Sequence, residues 1–576
     1  MRDLIVPQTD DFDASITLSF PSSRSQALDM CVNSFLENNT IDAYSDPKDI
    51  TEQVISLTQN EFRRHNETAP EGTKMSVPTD LTPAMIAKIM LRMYSIKNIN
   101  CAGKGTDESY DILGIYQEDG PDKGIYISRE KEIEKKISEF NPELTEVQIK
   151  QTMNILRIEA DRVERCSDPD LIAVNNGIFN YKTKILEPFD SEKVFTAKCR
   201  VDYNPVASNI TIHNPKDNTD WNVEDWIKEL FDDDDIAECI WQIMGAIIRP
   251  NVRWNKAAWF VSEKGNNGKG TLCVLMRNLA GERTCAAIPL SDFGKDFMLE
   301  PLIHASSIIT DENDVGTFID KAANLKAIIT NDVIQINRKF KTPIAYQFKG
   351  FMVQCVNEMP RTKDKSESFY RRQIFIPFTK CYTGIERKYI KNDYLNRKDV
   401  LEYVLYKILN MNYYEIKVPE SCEKALEKYK TYNDPVRDFL LEVTSEACWD
   451  CFPSTLLFDM YKNWFKKNNP NGTVQGRNTF IEDVKKAVGA VSGWYYVDPK
   501  SPKRVSGRMD CDEPLLDGYK CEDWMYNPKT EDGRVKIKKK IERTGGIFRD
   551  ACTAGINPGK DDDTDNSDSD SDESNK

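Results

Sequence analysis

Apolar residues at helical spacing alternate along this chain with short β-branched runs. "PAMIAKIMLRMY" from Pro83 and "EVQIKQTMNILRIEADRV" from Glu146 repeat apolar positions three and four apart, so each predicts an amphipathic helix. Between them, "YDILGIYQEDGPDKGIYISRE" predicts two short strands about a Gly/Pro turn. "LIAVNNGIFNYKTKILEPF" predicts a hairpin-like stretch with turns at Asn175–Gly177 and Lys182–Lys184, and Asn222 to Arg249 reads as helical. In the centre, "AAWFVS", a glycine loop, "TLCVLMRNL", "ASSIITDEND", "DKAANLKAII" and "FMVQCVNEMP" alternate strand and helix, which implies a parallel sheet flanked by helices. Beyond residue 417, "LLFDMYKNWFKK", "NTFIEDVKKAV" and "GWYYV" predict helix, helix and strand, the outline of a small winged-helix-like module. Residues 1–75 are polar and close on "TAPEGTKMSVPTDLTP", which reads as a linker.

The central alternation matters because of what sits at its turns. The strand Ala257 to Ser262 delivers Gly265, Asn266, Asn267 and Gly268 ahead of a helix expected to start near Thr271. Small residues there let backbone N–H groups turn inward around a phosphate chain, and Lys269 would reach the β/γ-phosphates. The loop departs from G-x-x-x-x-G-K-[ST] at Glu263 and Gly270. The strand "SSIIT" ends in Asp311–Glu312, a Walker B arrangement in which one carboxylate holds the Mg²⁺ shell and the other polarises the attacking water. A third strand, Phe351 to Val356, ends in Asn357, placed to sense the γ-phosphate. "FYRRQIFIPF" sets Arg371 and Arg372 ahead of another strand, as an arginine finger requires. Each feature alone has a bland reading as a turn, a capped strand end or a solvated charge. Their order and spacing together predict a nucleoside triphosphatase.

Between the acids and the asparagine, "VIQINRKFKTPIAYQF" alternates like a β-hairpin whose tip carries Arg338, Lys339, Phe340 and Lys341. An aromatic among cations suits stacking on a base while charges hold phosphates, so the tip is a candidate single-stranded DNA contact.

Composition narrows the setting. The 576 residues, 40% apolar, support three or four domains. No run of 18 apolar residues occurs, and the N-terminus has no apolar stretch of the secretory kind, so neither a membrane span nor a signal is expected. Net charge is −15, about half of it in the tail from Asp561, which counts against electrostatic coating of duplex DNA and confines any DNA contact to a local patch. The basic run "GRVKIKKKIER" near Arg534 reads equally as a DNA contact or a solvated face. The fifteen cysteines are scattered and suit buried thiols in a reducing compartment. Cys448, Cys451, Cys511 and Cys521 make a conceivable zinc set, but nine residues separate the second pair where a zinc site usually has two.

Taken in order, "GNNGKGT", "IITDEN", "LKAIITND" with "RKFK", "VNEMP" and "RRQIFIPF" resemble the superfamily 3 helicases of the AAA+ class. The resemblance is closest to the phage and plasmid branch often called primase-helicase, and extends to the poxvirus primase-helicase. That branch accepts G-x-N-G-K-[GS]-T, so the resemblance assigns Thr271 as the hydroxyl near magnesium beside Asp311. Flanking segments look like the family's collar ("NNGIFNYKTKILEPFDSEKVFTAKCRVDYNP") and its lead-in to a C-terminal module ("VPESCEKALEKYKTYNDPVRDFL"). The implied fold is α/β: an AAA+ P-loop ATPase core over 221–416, an α+β collar over 76–220 and a winged-helix-like domain over 417–552, with a polar segment before it and an acidic disordered tail over 553–576. The implied activity is ATP- and Mg²⁺-dependent DNA unwinding by a homo-oligomeric ring, usually a hexamer, moving 3′ to 5′ on single-stranded and forked DNA. Lys269, Thr271, Asp311, Glu312 and Asn357 would come from one subunit and Arg372, with Arg371 second, from the next. The setting implied is replication of a phage, plasmid or other mobile element in a bacterial cytoplasm, alongside an initiator, primase or polymerase. The chain's own priming activity is not expected, because about 75 residues before the collar are too few for that domain. The rival readings are a P-loop motor or remodeller that does not unwind, and a silent replication scaffold or origin-binding protein.

Overall fold

Helical spacing at Pro83 is the visible part of a larger helical layer. In the computed structural model, which describes residues 20–262, 264–468, 473–498, 513–521, 524 and 545–550, α1 (Arg24–Asn38), α2 (Pro47–Thr68) and α3 (Pro83–Met93) share one core. This corrects the reading of residues 1–75 as a polar segment and linker. In α2 the buried positions are Ile50, Val54, Thr58 and Phe62, one per turn at strict i+4 spacing, with a threonine among them. A stripe that narrow, on an otherwise charged helix, is hard to see by hydropathy. Asp46 caps α2 by accepting from Lys48 N, and Pro47 occupies the first turn, where its missing N–H costs nothing.

Against this layer stands a mixed sheet of order β3-β2-β1-β4, formed by β1 (Ile96–Asn100), β2 (Ile112–Tyr116), β3 (Tyr126–Ile127) and β4 (Asp161–Glu164). The helices α4 (Glu130–Ser138) and α5 (Glu146–Glu159) lie between β3 and β4 in sequence, and a Thr145/Gln148 capping box starts α5. The expected hairpin is a three-stranded antiparallel meander, β5 (Leu171–Val174), β6 (Gly177–Asn180) and β7 (Ile185–Glu187). A small hairpin, β8 (Ile212–Asn214) and β9 (Thr219–Trp221), leads to two helices where the sequence suggested one: α6 (Val223–Glu229) and α7 (Asp234–Ile248). Asp233 interrupts the run by capping α7 through its carboxylate.

The parallel sheet is present. It runs β11-β12-β16-β10-β18 and comprises β10 (Ala257–Val261), β11 (Cys285–Ala286), β12 (Ser307–Thr310), β16 (Phe351–Val356) and β18 (Gln373–Pro377), every pairing parallel. Its connections hold α8 (Lys269–Ala280), β13 (Phe318–Ile319), α9 (Ala323–Ile329), the hairpin β14 (Val333–Arg338) and β15 (Lys341–Gln347), β17 (Arg361–Thr362) and α10 (Glu367–Tyr370). The three strands β10, β12 and β16 are almost wholly buried, as a sheet covered on both faces requires. α7, α8 and α12 (Lys398–Asn410, after α11 at Lys388–Asn392) fill one core with them. Because the strands are parallel, their carboxyl ends share one rim, and the loops that follow meet there.

By internal contacts the chain divides into two units, Met1–Leu426 and Glu427–Lys576. The second holds α14 (Pro435–Glu446), α15 (Ser454–Asn468), α16 (Arg477–Ala487) and a three-stranded antiparallel sheet of Cys451–Pro453, Trp494–Val497 and Gly546–Arg549, after α13 (Glu420–Asn433) at the division. Its core is aromatic, with Phe439, Tyr461, Trp464, Phe480 and Phe548 buried together. The helix, helix and strand expected here are all present. Cys448, Cys451 and Cys521 belong to this unit, while Cys511, the basic run near Arg534 and the acidic tail lie outside the described residues. Among the described residues no helix is long and apolar enough to cross a membrane.

Candidate active site

The loop after β10 is shaped by two residues with positive φ, Asn266 at 52° and Gly268 at 90°. Gly268 also admits no side chain: an added Cβ would come within 2.6 Å of Leu230 Cδ2. Asn267 folds the loop upon itself, donating to the Lys264 carbonyl and accepting from Lys269 N at 3.2 Å. Asn266 turns outward to Thr383 Oγ1 and Glu386 Oε1, both at 3.2 Å. Gly265 and Gly270 have open space where a side chain would stand, and Glu263 lies outside the described residues. The helix α8 therefore begins at Lys269, two residues before the expected Thr271, with Gly268 as its cap. Its first N–H groups point into the loop, which is where an anion binds.

Lys269 is 6% exposed, and its ammonium donates to Asn357 Oδ1 at 2.7 Å and to the Val356 carbonyl at 2.9 Å. Two residues 88 positions apart, both singled out for phosphate chemistry, thus meet through a hydrogen bond. Burial pulls the Lys269 pKa below its ordinary value, since its near partners are neutral oxygens.

On the neighbouring strand, β12 carries Asp311 and Glu312 to the same rim. Asp311 Oδ2 accepts from Arg277 Nη1 at 2.7 Å, whereas its Oδ1 is buried without a hydrogen-bond partner. Glu312 is exposed. One unpartnered carboxylate oxygen and an adjacent exposed acid are hard donors of the kind magnesium takes. Asn313, which the sequence reading passed over, fixes this turn: its amide donates to Gln354 Oε1 and the Cys355 carbonyl and accepts from Leu290 N.

Thr271 and Asp311 are not brought together. Cys273 Sγ lies within 4.8 Å of an Asp311 carboxylate oxygen. At 3.6 residues per turn, Gly270 shares the Cys273 face, while Thr271 is turned roughly 200° from it. Thr271 lines a separate cavity of about 340 Å³ with Trp226, Leu230, Tyr382 and Ile390. Gly270, on the Cys273 face, has no hydroxyl to offer. Arg277, eight residues after Lys269 on that same face, supplies the contact that the sequence reading missed; the helical period of α8 was the available signal.

The two arginines differ. Arg372 is half-buried, donating to the Ser368 carbonyl and, at 2.6 Å, to Ser368 Oγ. Arg371 ends α10 and is exposed.

The expected hairpin is present, with Ile334 opposite Tyr346 and Ile336 opposite Ile344, all four buried. Its four tip residues separate. Arg338 braces the turn by donating to the Thr342 carbonyl at 2.8 and 3.0 Å. Lys341 pairs with Glu130 of α4 at 2.5 Å. Lys339 and Phe340 form the turn itself, and Phe340, at a φ of 59°, is 95% exposed. An exposed ring with a cation 5.4 Å from its centroid is a ready stacking surface.

Three family models match the chain: "D5 N terminal like" over residues 87–232, a family of unknown function (DUF5906) over 260–372, and "Poxvirus D5 protein-like" over 431–525. The middle match spans every candidate site residue from Gly265 to Arg372. Similar solved structures include two apo forms of the NrS-1 C-terminal region. One is 14% identical, covering 71% of this chain and 87% of that one at a TM-score of 0.38. The other is 13% identical, covering 75% and 98% at 0.38. A JCV helicase bound to a thiazolopyridine compound is 15% identical and covers 37% and 59% at a TM-score of 0.23. No curated protein matches the chain. The relationship rests on the two D5-type matches, which flank the glycine loop on both sides.

Proposed function

The chain is a relative of the phage and viral superfamily 3 primase-helicases, and from that premise we propose that it is an ATP-driven DNA helicase working as a ring, usually of six subunits. The observation that carries this reading is the Lys269–Asn357 hydrogen bond at a rim shared with Asp311 and Glu312. The ammonium rests on neutral oxygens. A γ-phosphate arriving at the helix start offers it a charged partner, and Asn357 is released to orient water. Glu312, exposed beside the loop, is placed to take the proton from that water. Magnesium bound with ATP would be held by Asp311 and would neutralise phosphate charge there. The cavity beside Thr271, walled by Trp226, Leu230 and Tyr382, suits the nucleoside.

Arg371, exposed at the end of α10, would complete a neighbour's site as its arginine finger. Lys339 and Phe340 would line the ring's channel and hold one DNA strand, along which the ring would move 3′ to 5′. The helices and sheet after residue 426 would act as a winged-helix-like module, and residues 76–220 as the collar. The setting is replication of a mobile element, with an initiator, primase or polymerase as partner. The test is sizing of the purified chain with ATP and a single-stranded oligonucleotide, beside measurement of oligonucleotide-stimulated ATP hydrolysis. A ring whose hydrolysis rises with DNA and disappears in Lys269→Ala supports the proposal; a monomer under all conditions, or hydrolysis indifferent to DNA, refutes it.

A further inference from the structure

The face of α8 that meets the sheet below the glycine loop carries a second chemistry. Cys273 Sγ stands 3.4 Å from Cys355 Sγ, both side chains are buried, and an Asp311 carboxylate oxygen joins them in a trio whose ligand atoms all lie within 4.8 Å of one another. Among the described residues no other group of three such side chains converges in this way. We propose that Cys273, Cys355 and Asp311 form a binding site for a thiophilic divalent cation, zinc above all, and that filling it disables Asp311 for nucleotide chemistry. The second half rests on the function proposed above; the first does not.

Four observations favour a metal over simple core packing. Two sulfurs and one carboxylate are a borderline-soft donor set, which selects zinc over magnesium. Three protein ligands and a water complete a tetrahedron. With Zn–S bonds of about 2.3 Å, two thiolates stand about 3.8 Å apart, so the 3.4 Å gap needs to open only slightly. Charge also closes: Zn²⁺, two thiolates, one carboxylate and the guanidinium of Arg277 on Asp311 Oδ2 sum to zero. The two thiol protons leave as the ion enters. The Asp311 side chain is 37% exposed, while its Oδ1 is buried without a hydrogen-bond partner.

The experiment uses the metal-free full chain in a phosphine reductant, which keeps the thiols reduced so that no disulfide contributes. Cobalt(II) is titrated in and its thiolate charge-transfer absorption followed, with zinc added last to displace it. Wild type is expected to bind one equivalent more than Cys273→Ala or Cys355→Ala, any sites elsewhere being common to all three. Equal stoichiometry and equal spectra in wild type and both variants overturn the site. Should either variant fold poorly, Asp311→Asn keeps both cysteines and must still alter the cobalt spectrum; an unchanged spectrum overturns the proposal equally. Magnesium-dependent ATP hydrolysis is then followed as zinc is added. One equivalent should abolish it in wild type and leave it intact in Cys355→Ala, whereas equal inhibition of both proteins overturns the competition. If no protein hydrolyses ATP, the function proposed above falls while the cobalt result decides the site alone.

Discussion

Replacing Lys269 with methionine separates two roles that most loop mutations confuse. In the nucleotide-free protein the ammonium is buried, and its two close partners are the Val356 carbonyl and Asn357 Oδ1. Neither is stranded by the change. Val356 O still accepts from Ser262 N at 3.2 Å, and the Asn357 side chain is exposed to water. Methionine fills much of the lysine's volume, and the cost of burying a cation disappears. Folding stability without nucleotide should therefore stay within about 1 kcal/mol of wild type or rise. With ATP the balance inverts. A unit charge about 4 Å from a phosphate is worth about 4 kcal/mol at an effective dielectric of 20, roughly a thousandfold in binding or rate. Thermal unfolding followed by fluorescence, with and without Mg·ATP, reads both effects in one instrument. Wild type should gain about 2.7 kcal/mol at a hundredfold excess over Kd, and Lys269→Met should gain nothing. A variant that melts well below wild type without nucleotide, or that ATP still stabilises, refutes the reasoning.

Other consequences can be checked separately. Phe340→Ala should weaken binding of single-stranded DNA by about 1–3 kcal/mol at unchanged fold stability, and Lys339→Ala should lower the slope of log affinity against log salt by about 0.7; fluorescence anisotropy over a salt series measures both. Burial, with Arg129 nearby, pulls the His304 pKa down to about 4 from its usual 6.5. The unfolded chain binds that proton more tightly, so the stability in question is complete above about pH 6.5 and lost as pH falls towards 4. Its size is on the order of 3 kcal/mol at most, and His304→Gln should flatten the acid limb of a denaturation series. Arg371→Ala and Lys269→Ala should each be inactive alone. Mixed in equal amounts they should regain ATP hydrolysis, because some seams then pair an intact lysine with an intact arginine; Arg372→Ala should fail to substitute for Arg371→Ala in that mixture.

What the sequence made legible was chemistry tied to strand ends. The runs "AAWFV", "SIIT" and "FMVQCV" are short, largely apolar and rich in β-branched or aromatic residues, so the parallel sheet and the residues directly after its strands could be placed in advance. The meeting of Lys269 with Asn357 follows from that placement once β10 and β16 are neighbours. What stayed hidden depended on which way a side chain turns. Thr271 carries a hydroxyl but faces Trp226 and Leu230, and only the phase of α8, set by Gly268, decides this. Arg371 and Arg372 are adjacent in sequence, and a contact with Ser368 separates them. Lys341 reads as a DNA contact, and its pairing with Glu130, 211 residues earlier, could not be seen from the tip alone. The helix α2 stayed hidden because about one buried residue per turn suffices to dock it when other helices supply the rest of the core, whereas α1, with Ala27, Leu28, Cys31, Val32 and Phe35 buried at helical spacing, was legible.

The central claim is that ATP bound at Lys269 drives separation of DNA strands. The most direct measurement is release of a labelled strand from forked DNA, with ATP and magnesium, by wild type and by Lys269→Ala. The account predicts release by wild type only, and only with hydrolysable nucleotide. Release by Lys269→Ala at the wild-type rate, or none by a wild-type protein that binds the fork and hydrolyses ATP, would contradict it.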